Sequence, residues 1–357
     1  MDELDSLETV SIDIDPFTLE LSRPLSTATG DIEQRRGYVV CVETNDAVGV
    51  GEATPLPGWT ESYSTCQDAL HSVSVDSTLA SASALDKANA SAAYHGVELA
   101  YVDAMARHHD RSLAGFLSTD TPATSVPVNA TIGDCSPEQT RKRAQSAVAD
   151  GYTTIKLKVG AREIESDCDR VIAARSAVGD DITLRVDANG VWNKATAEQF
   201  LETARAVDIS YIEQPLPASD LDGHASLRGR GVDIAVDESM SATDPEQIFA
   251  AGAADIIVCK PMALGGPRQT LAVAHKADIL DIDTVITTTI DAVIARVGAL
   301  HVAAALPGSD PRACGLATGS MLDDDLTTDP VSITDGHMSV PTGPGLAGGA
   351  LSSYCNH

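Results

Sequence analysis

Five apolar, β-branched runs of this 357-residue chain each end in an ionisable side chain. TTIKLKV (153–159) carries Lys156 and Lys158, TLRVDAN (183–189) carries Asp187 with Asn189, and ISYIEQP (209–215) carries Glu213. DIAVDES (233–239) carries Asp237 and Glu238, and DIIVCKP (255–261) carries Lys260. From Lys158 through Asp187, Glu213 and Asp237 to Lys260 the steps are 29, 26, 24 and 23 residues, each the length of one strand-plus-helix unit. A single acid at a strand end is as readily a salt bridge or a polar cap as a functional group. Five such groups in register on successive strands weigh against that reading. Three of the chain's seven lysines fall in this set.

Three carboxylates brought together by Asp187, Glu213 and Asp237 cannot all ionise side by side without a cation. Oxygen ligands without Cys or His select a hard ion, Mg²⁺ first and Mn²⁺ second. A lysine beside a bound cation is pushed toward its neutral form and can act as a base near neutral pH. A lysine facing a metal across a pocket suits removal of a proton next to a carboxylate, with the metal stabilising the enediolate. Arg185, two residues before Asp187 on the same strand face, serves either to hold a carboxylate or to close a buried salt bridge.

For these groups to meet, their strands must lie parallel and adjacent. From Val126 onward the pattern is strand, loop, helix, with further strand candidates at VPVNATI (126–132), DTVITTT (283–289) and RACGLAT (312–318). Helical stretches fall at 137–149, 161–177, 195–207, 266–279 and 291–305. Continuous β-branched runs mark strands buried on both faces. Eight units predict an α/β fold, a (β/α) barrel of modified TIM type with its site at the C-terminal strand ends. The alternative is an open doubly wound sheet, but no GxGxxG or GxxxxGKS follows any strand. The first part of the chain reads differently. Residues 9–22 and 37–44 alternate as antiparallel strands around a polar segment from Ser26 to Arg36, and 89–118 reads as helical. We expect an α+β capping domain over residues 1–122, completed by the segment 325–357, and a catalytic barrel over 123–324. Ser26–Gly30 and Pro57–Thr60 are expected to cover the substrate. Trp59 either covers an apolar part of it or packs between the domains. His95, His108, His109 and His301 lie off the strand ends and read as surface or packing residues.

Composition bounds the setting. Hydrophobic residues make up 43% of the chain, enough for one large domain or two moderate ones. No run of about 18 uncharged apolar residues occurs, so no membrane helix is expected. The acidic start MDELDSLETV lacks the basic and apolar regions of a secretion signal. Seven cysteines, Cys41, Cys66, Cys135, Cys168, Cys259, Cys314 and Cys355, are widely spaced without a CxxC. They are expected as reduced thiols of a cytoplasmic protein with no zinc motif, a single disulfide staying open. Acidic residues outnumber basic ones 52 to 24, for a net charge of −28, and are scattered along the chain. This describes either a strongly hydrated surface or a halophilic protein whose self-repulsion is screened by a high-salt cytoplasm, and the scarcity of lysine favours the second. Without a basic face, nucleic acid is a poor partner. A homo-oligomer stays open.

These motifs resemble the enolase superfamily, and its muconate-lactonizing subgroup in particular. KLK (156–158), DAN (187–189), EQP (213–215), DES (237–239) and KP (260–261), followed by Gly265–Gly266, stand where that subgroup has its K-x-K, its Asp, Glu and Asp metal ligands and its sixth-strand lysine. The resemblance covers nearly the whole chain. It implies an Mg²⁺-dependent enzyme acting on a small carboxylate substrate, with Lys158 as base, Lys156 assisting it and Lys260 opposite. Three activities come with it: the dehydrating lyase o-succinylbenzoate synthase of menaquinone biosynthesis, a dipeptide or N-acylamino-acid epimerase, and a muconate cycloisomerase. GEATPLPGWTES (51–62) and GLATGSMLDDDL (315–326) are similar to the synthase segments, although Ala317 replaces the usual Asp. An epimerase would place a D-x-D near the end of the eighth strand, whereas Asp281 and Asp283 precede the seventh. TTTID (287–291) departs from the usual S-x-x-E-S, with Asp291 standing in for the Glu. The resemblance thus places Thr27, Trp59, Arg185, Asn189, Thr288 and Asp291 around the substrate. A degenerate scaffold that binds metal without turnover would lack a ligand or a lysine, and none is missing.

Overall fold

A long antiparallel hairpin opens the chain. Strands β1 (Thr9–Thr27) and β2 (Gly30–Thr44) pair Ile12 with Val42 and Ile14 with Val40, and β3 (Val48–Ala53) completes the sheet. The structure, a computed structural model, describes residues 7–27, 30–73, 89–308, 311–351 and 355, and side chains other than those of 25–30. The stretch from Gly30 to Arg36, expected as part of a polar segment between strands, continues the hairpin because all of its residues but Glu33 pair across to β1. Helix α1 (Tyr63–His71) starts at Ser62, whose hydroxyl accepts from the Thr65 N–H. Helix α2 (Ser91–His108) lies so close to β3 that a Cβ on Gly49 or Gly51 would stand 2.0 Å from a helix carbonyl oxygen. Only glycine permits that approach. The short α3 (Leu113–Leu117) follows.

The rest is a parallel sheet clothed by helices. Strands β5 (Ala130–Ile132), β6 (Thr154–Lys158), β7 (Thr183–Asp187), β8 (Ile209–Glu213), β9 (Asp233–Val236), β10 (Ile256–Cys259) and β11 (Asp283–Ile286) lie side by side in chain order. Between them run α4 (Pro137–Ala149), α5 (Ile164–Val178), α6 (Lys194–Ala206) and α7 (Leu221–Leu227). The short helices α8 (Glu238–Ala242), α9 (Pro245–Ala251) and α10 (Pro261–Leu264) precede α11 (Pro267–Ile279) and α12 (Val293–Ala304). Ser136 and Gln139 form a reciprocal capping box at α4, and Asn193 caps α6. The fold is therefore α/β with a curled parallel sheet.

Two expected strands differ. Of residues 126–132, Ser125–Pro127 (β4) instead pairs antiparallel with β13 (His337–Ser339), itself paired to β12 (Ile333–Thr334). Pro127 has no N–H for a ladder, which suits this short edge piece. Residues 312–318 form no strand, but single parallel bridges join Cys314 to Val128 and Gly315 to Thr287, at the two edges of the seven-stranded sheet.

The reduced-thiol expectation is corrected at one pair. Cys41 and Cys355 are disulfide-bonded, with Cα atoms 5.6 Å apart across 314 residues of sequence. The C-terminal tail returns against the N-terminal sheet, a contact that spacing along the chain cannot reveal. The other five cysteines are free. Among the described residues, no helix is long and apolar enough to cross a membrane.

Candidate functional site

Strand alternation sorts the charges. Ile155, Leu157, Leu184, Val186 and Ile212 point outward into one apolar cluster beneath the helices. By the two-residue period, Lys156, Lys158, Arg185, Asp187, Tyr211 and Glu213 face the other way. The register then places Lys158 beside Asp187 and Asp187 beside Glu213.

The polar contacts follow. Lys158 Nζ donates to Asp187 Oδ2 at 2.6 Å and to Asn189 Oδ1 at 3.0 Å. Lys156 Nζ donates to Glu213 Oε1 at 2.9 Å and to Asp187 Oδ2 at 3.2 Å. Lys260 pairs with Asp237, and its ammonium sits 3.6 Å from the Trp59 ring centre, a cation–π contact reaching in from the N-terminal block. Lys158 is the most open of the three, its side chain 37% exposed against 12% for Lys156 and 8% for Lys260. Gln214 braces the far side: its Oε1 accepts from the Asp237 N–H at 2.8 Å, and its Nε2 donates to Ser239 Oγ at 2.9 Å.

Burial sets the charge states. It raises Glu213 to about 7, with Asp187 adding to the shift and Lys156 opposing it. It raises Asp237 to about 6 against the pull of Lys260, with Glu238 adding to the rise. At Asp187 the ammonium groups of Lys158 and Lys156 outweigh burial and hold the acid below the carboxylate range. Lys156 is raised, because Glu213 and Asp187 outweigh its own desolvation.

A hard cation fits this donor set, which is all oxygen. Two of its buried acids ionise reluctantly, and Glu238 Oε2 is buried without any hydrogen-bond partner. As the side chains stand, no three acids, histidines or cysteines among the described residues surround a single point, since the lysines occupy the positions between the carboxylates.

The strand exits are strained in a consistent way. Asn189, Gln214 and Ile290 all have positive φ, at +47°, +41° and +62°. Non-glycine residues adopt this region at a cost and concentrate at sites whose surroundings over-determine them.

Of its two expected roles, Arg185 does not take the buried salt bridge among the described residues. It is 2% exposed, donates to Ala313 O at 2.8 Å and to Asn129 Oδ1, and lies over the Tyr211 ring. Asp291 is likewise buried: Oδ1 accepts from Thr289 Oγ1 at 2.5 Å, and its charge faces Arg35. Thr288 Oγ1 lies 3.1 Å from Thr318 Oγ1, joining the seventh strand's exit to the following segment. The Thr27 side chain lies outside the described residues. Asp283 and Asp233 both pair with Arg312, at the N-terminal ends of their strands. His95 and His301 are buried and held neutral, burial lowering both to about 4.

Sequence reasoning missed Arg35 and Glu52. Arg35 is 3% exposed, and burial lowers its pKa against the pull of Asp291 and Glu52. Glu52 is fully buried at the start of α12, accepting from the N–H groups of Ala292 at 2.9 Å and Ala295 at 2.8 Å. In the sequence Glu52 stands in the apolar strand that opens the GEATPLPGWTES segment, where no role was assigned to it.

Comparison with known proteins agrees with this geometry. An o-succinylbenzoate synthase of Thermobifida fusca is 36% identical over 220 residues, 60% of this chain and 67% of that one. A chloromuconate cycloisomerase of Cupriavidus necator is 28% identical over 368 residues, covering 96% of this chain and 95% of its own. The fold matches an L-Ala-D/L-Glu epimerase of Bacillus subtilis with a TM-score of 0.86 at 24% identity, over 95% of this chain and 98% of that one. A dipeptide epimerase of Enterococcus faecalis, solved with Mg and the dipeptide L-Leu-L-Tyr, matches with a TM-score of 0.85 at 25% identity, over 95% and 99%. The family described as enolase C-terminal domain-like matches residues 139–348, more than half of the chain, and the chain belongs to that family.

Proposed function

We propose that the protein is a metal-dependent lyase of the o-succinylbenzoate synthase type. The observation that carries this reading is the pair of lysines, Lys158 and Lys260, flanking the acids Asp187, Glu213 and Asp237 at one end of the parallel sheet. The identity to the Thermobifida fusca synthase supports it. So does the position of the Asp281/Asp283 pair, of which Asp283 is tied to Arg312 at the end of the sheet away from these groups.

In this reading Asp187, Glu213 and Asp237 hold Mg²⁺ or Mn²⁺. When bound there, such a cation would supply Lewis-acid stabilisation of the negative charge that develops on the substrate carboxylate. Lys158 takes the proton from the carbon next to that carboxylate, and its conjugate acid remains beside Asn189 and Asp187. Lys260, held by Asp237 and Trp59, presents fixed positive charge to the substrate from the opposite side. Lys156 lies beneath, neutralising Asp187 and Glu213. The Lys158 ammonium then returns that proton to the hydroxyl leaving the neighbouring carbon, which departs as water; the C–H electron pair becomes the new C=C, the ring becomes aromatic and the lysine is neutral again. We read the bridges at Cys314 and Gly315 as closing the sheet into a barrel spanning 123–324. Residues 1–122 and 325–357 then form its cap.

The test is assay of the purified protein with Mg²⁺ in high salt, on the menaquinone precursor and on a panel of L-Ala–L-Glu dipeptides and N-succinyl amino acids. Dehydration of the precursor is expected. Epimerisation without dehydration would refute the reading. Lys158→Ala should slow exchange of the substrate α-proton with deuterated water by ~10²–10⁴-fold.

A further inference from the structure

Arg35, on β2 of the N-terminal sheet, joins a loop of that block to the loop after β11. Its Nη2 donates to Thr54 O at 2.8 Å and its Nη1 to Pro55 O at 3.1 Å. Its Nε donates to Ile290 O at 3.2 Å. Thr54 and Pro55 begin the loop that carries Trp59 to the Lys260 ammonium. Ile290 sits in the loop after β11 that carries Thr288. Ile290 is β-branched at φ +62°, a conformation needing outside support. That support comes from Arg35 on its carbonyl and from apolar packing with Leu21 and Leu322. Beside it, Glu52 accepts from Thr54 Oγ1 at 2.5 Å and from the Ala292 N–H, joining the same two loops a second time.

We infer that Arg35 is a positioning residue that sets the spacing between the Trp59 loop and the Thr288–Asp291 loop, and thereby the fit of the substrate's non-reacting part. This rests on the lyase reading only in naming the substrate. A planar guanidinium reaches three carbonyls in fixed directions, which an ammonium cannot reproduce. Substrate held at the wrong spacing binds poorly, while the lysines and acids that do the chemistry stay in place on their strands.

Arg35→Lys and Arg35→Met test this in the full chain by amide hydrogen exchange, Mn²⁺ titration and kinetics on the menaquinone precursor. In Arg35→Met, exchange should rise at least ~10-fold in residues 54–60 and 287–292, with the central strands unchanged. KM should rise at least ~10-fold, with kcat within ~3-fold and Mn²⁺ affinity within ~2-fold of the parent. Arg35→Lys should fall between. Unchanged exchange in both loops, a uniform rise across the strands, or Mn²⁺ affinity falling in step with kcat/KM would overturn the inference. So would failure of both variants to fold, which would make Arg35 a residue of general stability. If the parent does not dehydrate the precursor, the lyase reading falls, and the exchange pattern still decides the clamp.

Discussion

Glu52 offers a test of how the interface between the N-terminal sheet and α12 is charged. Burial first, and the nearby Asp291 second, raise its pKa from 4.5 to about 7. The folded state therefore holds this proton more tightly than the unfolded chain does. Glu52 accordingly contributes stability that is fully present below pH 4.5 and is lost as pH rises through about 7. Integrating between those values, the loss from pH 5 to pH 8.5 is on the order of 2–3 kcal/mol. Glu213 and Asp237 titrate in the same window, so the wild-type curve alone is uninformative. Glu52→Gln removes one titrating group and leaves the others, and the difference between the two proteins isolates Glu52. Urea unfolding at closely spaced pH should show the stability of Glu52→Gln relative to wild type improving by on the order of 2–3 kcal/mol across the range. The competing physics is explicit: Ala292, Ala295 and Thr54 donate to the carboxylate, and all three favour the ionised form. A difference that stays flat with pH would show that these donors win and that the acid is ionised at pH 5.

Three further outcomes follow from the same structure. Cys355→Ser opens a disulfide closing 314 residues and should cost ~2–5 kcal/mol, read as a urea midpoint shift that reductant reproduces in the wild type. With a net charge of −28, raising KCl from 0.1 to 2 M shortens the screening length from about 10 Å to under about 3 Å and should raise the melting temperature, whereas a fall would count against a surface adapted to salt. Leu184→Ala empties a fully buried outward position on β7 and should cost ~2–5 kcal/mol of stability, measured by urea unfolding, with the α-proton exchange of the folded fraction retained.

How much was legible follows from which forces are local. The period-two alternation of TIKLK and TLRVD is written in the chain, so Lys156, Lys158 and Asp187 could be assigned to one face before any coordinates. Strand-to-strand steps of one βα unit each then brought Glu213 and Asp237 to the same end. What the chain could not display was contact between distant segments. Cys41 and Cys355 meet because the tail folds back on the first sheet, and nothing near either cysteine announces it. Arg185 was placed near substrate from its strand face, with a buried salt bridge as the alternative, and Asp291 from the resemblance of TTTID to the family's seventh-strand motif. What the fold adds is their surroundings, carbonyl and amide oxygens around Arg185, and Thr289 and the charge of Arg35 around Asp291. Arg35 and Glu52 were not singled out, since Arg35 lies in a stretch read only as polar and Glu52 in a segment noted only for its similarity to a family motif. The parallel strands hold the clustered lysines and acids, and their placement repeats with the βα unit. The loops of the two blocks are joined by contacts between residues 255 and 240 apart in sequence. The cluster was therefore readable from local pattern, while the ties between the loops depend on long-range contacts that only the folded chain assembles.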